Sequence, residues 1–358
     1  KNNIIPGRHL LSLSYNWHMI IKAKAPFRIG LAGGGTDVEP YASLYGGEVI
    51  NATIGLYARV ALEATSDGMV YLEMKPQTPL EFPINAPPKN AGDIRDLFTV
   101  TYNRFMQQYG TPFGGLCVTI TSDVPYGSGL GTSSTVMVTI IGALLKLYGL
   151  QWTREEIAAF AVDTERNVLG WAGGKQDQFA AVYGGFNHML FGTNGSVTVQ
   201  SLALDTSFIS LLEQSMLLYY SRQHRHSSRI IEEQQARIIA GELDSLEATH
   251  YLKQLVGDMH KALIQGKLSG LAETFALSFA AKKKIATGIT NQELEALVSA
   301  ALAAGAKTAK ISGAGGGGFL TIICSPSTRT KVQEALHTFD GQAYPFHFTN
   351  QGLHVILE

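Results

Sequence analysis

The sequence predicts a two-domain chain that mixes strands with helices, on three observations. Its 358 residues exceed what one ordinary hydrophobic core serves. Strand-like runs crowd the first half, and helical periodicity dominates the second. Between them, Gly192-Thr193-Asn194-Gly195-Ser196 is turn chemistry and marks a boundary near 195–205. We take 19–200 and 201–358 as the two domains. Residues 1–18, which precede Met19, read as an extension or an upstream start.

Apolar runs from Met19 to Ala32 end in Gly33-Gly34-Gly35, and strands are expected at 48–63 and 69–74, where apolar residues partly alternate. Five prolines between 76 and 88 mark an irregular connection. A helix over 94–109 and a strand over 115–122 follow. The glycine loop 127–131 then runs into Thr132-Ser133-Ser134, which predicts a helix capped by a hydroxyl and, being apolar on almost every side, buried. Thr153 and Glu156 have capping-box spacing and open a helix reaching about Leu169. Residues 171–192 return through two Gly-Gly pairs to a strand-like FNHMLF. Helices are expected at 227–240, 242–265, 268–285 and 291–304, and strands at 307–312 and 319–324.

Composition narrows the function. The net charge of −1 provides no broad field for nucleic acid or anionic lipid, so neither is expected as a partner. No apolar run reaches spanning length, and residues 1–18 lack the continuous apolar stretch and small-residue cleavage site of a signal peptide. Cys117 and Cys324 sit in apolar strand-like runs and read as buried free thiols. We expect a cytoplasmic protein, with a homodimer allowed for.

The chemistry is carried by three glycine-rich segments. In Pro125-Tyr126-Gly127-Ser128-Gly129-Leu130-Gly131-Thr132-Ser133-Ser134, glycines let backbone N–H groups converge on an anion, and the helix start adds partial positive charge. An ordinary capped loop is the alternative. No Lys precedes the Ser/Thr, which disfavours a Walker A loop. Gly313-Ala314-Gly315-Gly316-Gly317-Gly318 satisfies GxGxxG but precedes a strand-like run, so the dinucleotide-binding context is absent. In Arg28-Ile29-Gly30-Leu31-Ala32-Gly33-Gly34-Gly35-Thr36-Asp37, the glycines suggest close approach to a ligand, with Asp37 as acceptor for a hydroxyl.

In order, spacing and content these segments resemble the three motifs of the GHMP kinases. The departures are Thr132 where Ser is usual and Thr135 where Ala is usual. Gly34-Gly35-Thr36-Asp37, Gly173-Gly174-Lys175-Gln176-Asp177-Gln178 and the run from Lys310 to Gly318 look like the D-glycero-D-manno-heptose 7-phosphate kinases, with the fucose kinases as the alternative. The resemblance implies an α+β fold of two domains, the first like ribosomal protein S5 domain 2 and the second ferredoxin-like. It implies an enzyme that moves the γ-phosphate of ATP to a sugar phosphate with Mg²⁺. A fold-retaining binding protein and a decarboxylase of the same fold are the rival readings.

The resemblance also implies roles. ATP phosphates would lie over Pro125, Gly127, Ser128, Gly129, Leu130, Gly131, Thr132, Ser133 and Ser134. Asp177 would take or orient the acceptor proton, and Arg28 would approach the reacting centre. Ser133, with Ser134 as alternative, and Glu165 would hold Mg²⁺; Glu165 could equally be an exposed carboxylate. Gly34, Gly35, Thr36, Asp37, Gly315, Gly316 and Lys175 would contact the sugar substrate. The basic run Ser221–Arg229 precedes a helix start, so Arg225, with Arg222 and Ser228, is expected to hold the sugar's distal phosphate. His224 and His226 depart from the family there, and a solvated helix start is the other reading. Lys282-Lys283-Lys284 reads as a solvated face, and Trp171 as a packing residue near enough to line the sugar pocket.

Overall fold

Alternating short strands and amphipathic helices assemble around two joined cores in a computed structural model, which describes residues 20–358 except 90, 112 and 224–226. The extension at 1–18 and Arg225 therefore lie outside the described residues. The strands are β1 (Ile20–Ala32), β2 (Gly47–Thr65), β3 (Met69–Met74), β4 (Leu80–Pro83), β5 (Gly115–Ser122), β6 (Phe186–Phe191), β7 (Val197–Ser201), β8 (Met216–Tyr220), β9 (Ala306–Ile311), β10 (Phe319–Cys324), β11 (Gln342–Tyr344) and β12 (His354–Leu357). The helices are α1 (Tyr41–Tyr45), α2 (Asp96–Tyr109), α3 (Thr132–Leu147), α4 (Arg154–Asp163), α5 (Gln176–Tyr183), α6 (Thr206–Ser215), α7 (Ser227–Ile239), α8 (Leu243–Ile264), α9 (Leu268–Ile285), α10 (Gln292–Ala303) and α11 (Arg329–Leu336). None is long and apolar enough to cross a membrane among the described residues.

An eight-stranded sheet runs β12-β1-β2-β5-β3-β4, with β6 joining β2 and β7 joining β6. β2 is long enough to pair with β6 along its first part and with β5 along its second. The helix α3 packs against β1 and β2, and all its residues except Ser133 and Lys146 are buried. A segment hydrophobic on every side has no stable position except between layers.

The second sheet runs β11-β8-β10-β9. Every residue of β10 is buried, because both faces are covered. Phe319 and Ile323 face the first core, while Leu320, Ile322 and Cys324 join a second one with α10 and α11. The run FLTIIC, apolar except for the buried Thr321, follows from that double burial. The strand β12 returns to pair with β1, so the last strand of the 201–358 segment completes the first sheet. Val256 and Met259 of α8 and Leu271 and Phe275 of α9 also enter the first core.

Two local expectations need correction. The Thr153–Glu156 capping box is present, but its helix ends at Asp163 and continues as a single π-turn over Thr164–Val168. The helix α3 has no hydroxyl at its N-cap: that position is Gly131, at φ 76° and ψ 32°, and no side-chain cap bond is made there among the described residues. Those donors are left for another acceptor.

Candidate active site

The end of β1 brings Arg28 into a cleft between the two sheets' loops. Arg28 Nε donates to Asp177 Oδ1 at 2.6 Å, and Nη1 donates to the Gly129 carbonyl at 2.7 Å. The guanidinium is almost fully buried and the carboxylate one-fifth exposed. One residue thus ties the glycine loop to the first turn of α5.

The loop needs its glycines for two reasons. Gly127, Gly129 and Gly131 all have positive φ. A Cβ on Gly131 would lie 2.9 Å from the Asp177 carboxyl carbon, and one on Gly129 would lie 2.8 Å from the Ser312 carbonyl. So the start of α3 touches Asp177 on one side and the third glycine segment on the other. Gly127, Gly129, Gly131, Thr132, Ser133 and Ser134 line the cleft with Asp177. Uncapped N–H groups at a helix start, facing a cleft, form an anion site.

Glu165 is carried on the π-turn, whose extra residue turns it inward. It is 1% exposed, which excludes the exposed-carboxylate reading. Its carboxylate accepts from Gln178 Nε2, and Arg166 stands 3.9 Å away. Burial pushes its pKa up, against the pull of Arg166, Ser134 and Gln178. Arg166 holds the loop leading to α5 by donating to the Gly174 and Trp171 carbonyls. Trp171 lines the cleft.

The family models for the GHMP kinase N-terminal domain and the GHMP kinase C-terminal domain match residues 96–185 and 259–341. A D-glycero-alpha-D-manno-heptose 7-phosphate kinase from Campylobacter jejuni is 37% identical over 335 residues, 93% of this chain and 98% of that one. The chain belongs to the GHMP kinases. The crystal structure of a D-glycero-D-manno-heptose 1-phosphate kinase from Bacteroides thetaiotaomicron superposes on this GHMP kinase with a TM-score of 0.77 and 34% identity, covering 94% and 98% of the two chains. An L-fucokinase/L-fucose-1-P guanylyltransferase from Bacteroides fragilis is 25% identical over 342 residues, 88% of this chain and 36% of that protein. The two-domain α+β fold expected for this GHMP kinase is the one these relatives share.

Gly34, Gly35 and Asp37 line the cleft as expected, but several of the expected site residues are committed to the scaffold. The fully buried Thr36 hydroxyl lies 2.8 Å from both the Gly33 and the Glu48 carbonyls, with one proton to share between them, and accepts from the Glu48 amide. It pins the turn after β1 and cannot reach a sugar. Asp37 accepts from the amides of Gly35, Lys175 and Gln176 and from Gln176 Nε2. Those bonds occupy the acceptor positions of a carboxylate, so Asp37 caps α5 across 138 residues of sequence. Gly174 is glycine because a Cβ there would fall 1.9 Å from Asp37 Oδ2. Asp37→Ala is expected to cost about 2–3 kcal/mol in denaturant unfolding, since it strands buried N–H groups at a helix start.

Ser128 and Leu130 are fully buried in the scaffold of this GHMP kinase. The Ser128 hydroxyl pairs with Thr132 Oγ1, which also reaches the Pro125 carbonyl. Lys175 points to Glu39 at 2.7 Å. Gly316 donates to the Ile289 carbonyl, and Gly315 presses on the same residue, so Gly313 and Ala314 line the cleft in their place. Arg222 is exposed and pairs with Asp340 at 3.0 Å, and Ser228 is exposed on α7. The α7 residues that line the cleft are Ile230, Ile231 and Gln234.

Lys282 corrects the solvated-face expectation. It is 8% exposed and lines the cleft, as does Lys310, also 8% exposed. Burial pushes the Lys282 ammonium down to about 8, with Arg28 adding to the fall. Burial, then Lys282 and Arg28, push Lys310 down to about 7. A signal for Lys282 was available. Leu271, Phe275, Ser278, Phe279, Lys282 and Ile285 form one buried stripe at helical spacing, so the first lysine of the triplet faces inward.

Proposed function

We propose that this enzyme transfers the γ-phosphate of ATP to the anomeric hydroxyl of D-glycero-D-manno-heptose 7-phosphate. The observation that carries the reading is the contact between Asp177 and Gly131 at the uncapped start of α3. It sets a carboxylate beside the site best suited to a nucleotide's terminal phosphates. The kinship with heptose phosphate kinases supports the choice of sugar.

Arg28 holds Asp177 by Oδ1 and leaves Oδ2 toward Gly131. In the proposed step the acceptor oxygen forms its bond to the γ-phosphorus as the bond to the bridging oxygen of ADP breaks. The hydroxyl proton passes to Asp177. The amides of Thr132, Ser133 and Ser134 bind the phosphates, and Trp171 excludes water from one side of the sugar.

Among the described residues no cluster of His, Cys, Asp and Glu forms a dedicated metal site. A magnesium ion that arrives with ATP keeps several waters and needs few protein oxygens. The donors present fit it. Ser133 is a partly exposed hydroxyl, and Glu165 is a buried carboxylate whose ionised form lacks solvation. These two would hold the ion, which would neutralise phosphate charge.

The test is a phosphoryl-transfer screen over heptose 7-phosphate, fucose, galactose and mevalonate, read by ADP release. Turnover confined to heptose 7-phosphate is expected, and preference for another acceptor rejects the substrate. Arg222 pairs with Asp340 on the surface, a weak exposed contact that does not decide between the two sugars. Arg225 discriminates. For a phosphorylated sugar, Arg225→Ala is expected to raise KM about tenfold or more and leave KM for ATP unchanged. For fucose the same variant would be silent.

A further inference from the structure

Among the described residues two lysines in the cleft wall are buried without a direct ion pair, although Asp37 and Asp177 lie near enough to pull on Lys282. Lys282 Nζ donates to the Gly313 carbonyl, and Lys310 Nζ reaches the Leu31 carbonyl at 3.4 Å. Lys310 also lies 4.5 Å from the Phe275 ring centroid. Neither forms an ion pair among the described residues, whereas the neighbouring Lys283 pairs with Glu295 on the surface. Burying an ammonium with no ion pair is costly.

Their position is specific. Gly313, which anchors Lys282, packs backbone to backbone on Gly129 of the phosphate loop. Leu31, which receives Lys310, precedes the first glycine turn. The two ammoniums therefore stand where all three glycine segments meet. Among the described residues the other charged groups facing this place are Arg28, Asp37, Glu165, Arg166 and Asp177. Arg28 is engaged by Asp177 and Arg166 by backbone carbonyls, while Asp37 is occupied by amide donors. Lys282 and Lys310 are likewise held by backbone carbonyls, and among the described residues neither cleft lysine forms an ion pair.

We propose that Lys282 and Lys310 are the receiving site for a phosphoryl dianion, carried in by the nucleotide or by the sugar. This rests on the kinase reading above and deepens it. A compact ammonium is a point-charge ligand for phosphate, and on a buried side chain its attraction is far stronger than at a surface. The depressed values, about 8 and about 7, leave Lys310 largely and Lys282 partly deprotonated in the free enzyme at about pH 8. An arriving dianion restores the charged form, so binding draws protons from solution.

Calorimetric titration in buffers of different ionisation enthalpy, at about pH 8, reads this directly. The ligands are the β,γ-imido analogue of ATP, ADP, and heptose 7-phosphate. We expect uptake of about one proton when the phosphoryl group enters. Uptake with the imido analogue but not ADP assigns the nucleotide's terminal phosphate. Uptake with heptose 7-phosphate alone assigns the sugar's phosphate. In either case Lys310→Met is expected to abolish most of the uptake and Lys282→Met to reduce it. Both variants are expected to melt at or above the wild-type midpoint, because each removes an amine that burial holds below its unfolded pKa.

If Lys310→Met does not fold, Lys310→Arg serves, since it keeps the charge but cannot gain a proton. It is expected to bind the anion with its share of the uptake gone. Ligand binding with no uptake, or with uptake unchanged in these variants, overturns the lysine site while leaving the kinase intact. Absence of any nucleotide binding removes the kinase reading and this site with it.

Discussion

Asp177→Asn is expected to lower kcat about 10³-fold while ATP binding stays close to wild type. The substitution is isosteric, and α5 keeps its start because Asp37, not Asp177, caps it. What disappears is the acceptor for the hydroxyl proton and the charge that Arg28 grips at 2.6 Å. The nucleotide's contacts with the start of α3 involve backbone amides and are untouched. Single-turnover transfer and nucleotide titration separate the two effects. Turnover at the wild-type rate would remove Asp177 from the chemistry. Arg28→Met is expected to cost nearly as much alone, and little more when added to Asp177→Asn, because the two act as one unit.

Gly131→Ala is the second large effect, and it acts through geometry. Gly131 occupies the left-handed region at φ 76°, which an alanine adopts at a cost of about 1 kcal/mol. Its new Cβ would stand 2.9 Å from the Asp177 carboxyl carbon. Either the carboxylate or the helix start must give way, and both border the proposed path of transfer. A displacement of about 1 Å at a reacting group is expected to cost about 10²-fold in kcat/KM. The thermal midpoint should fall by only a few degrees, consistent with the small backbone penalty. An unchanged kcat/KM would show that the contact between helix start and carboxylate is not used. A collapse of the fold would show that strain at Gly131 dominates, and the milder Gly127→Ala serves as the control. Gly127 also has positive φ, at 73°, but a Cβ there meets nothing.

Much of the architecture was legible because its causes are local. The strands at 69–74 and 115–122, the buried α3 and the Thr153–Glu156 box follow from side-chain alternation, all-round apolarity and a three-residue capping spacing. The glycine segments were legible for the same reason: clustered glycines announce a backbone that must approach something closely. The short helix α5 was not, although it presents Asp177. Its sequence follows Gly173-Gly174 and reads as a loop, and its first turn is satisfied by Asp37 from the other end of the domain. Lys282 was misread because a run of three charges suggests solvent, while the stripe that turns its first member inward spans four helical turns. The division of roles within the motifs was also hidden. Thr36 pins a turn, and Ser128 and Leu130 are buried in the scaffold, while Gly129 and Asp177 meet at Arg28.

By itself, then, the sequence determined that a glycine loop would open a buried helix and that the chain would carry two mixed α and β units. Those are consequences of backbone sterics and of hydrophobic periodicity, both readable within a few residues. Only the tertiary structure decided which polar atoms remain uncommitted once folding is complete. Hydrogen-bond partners hundreds of positions apart compete for the same few donors and acceptors, and the groups left over face the cleft.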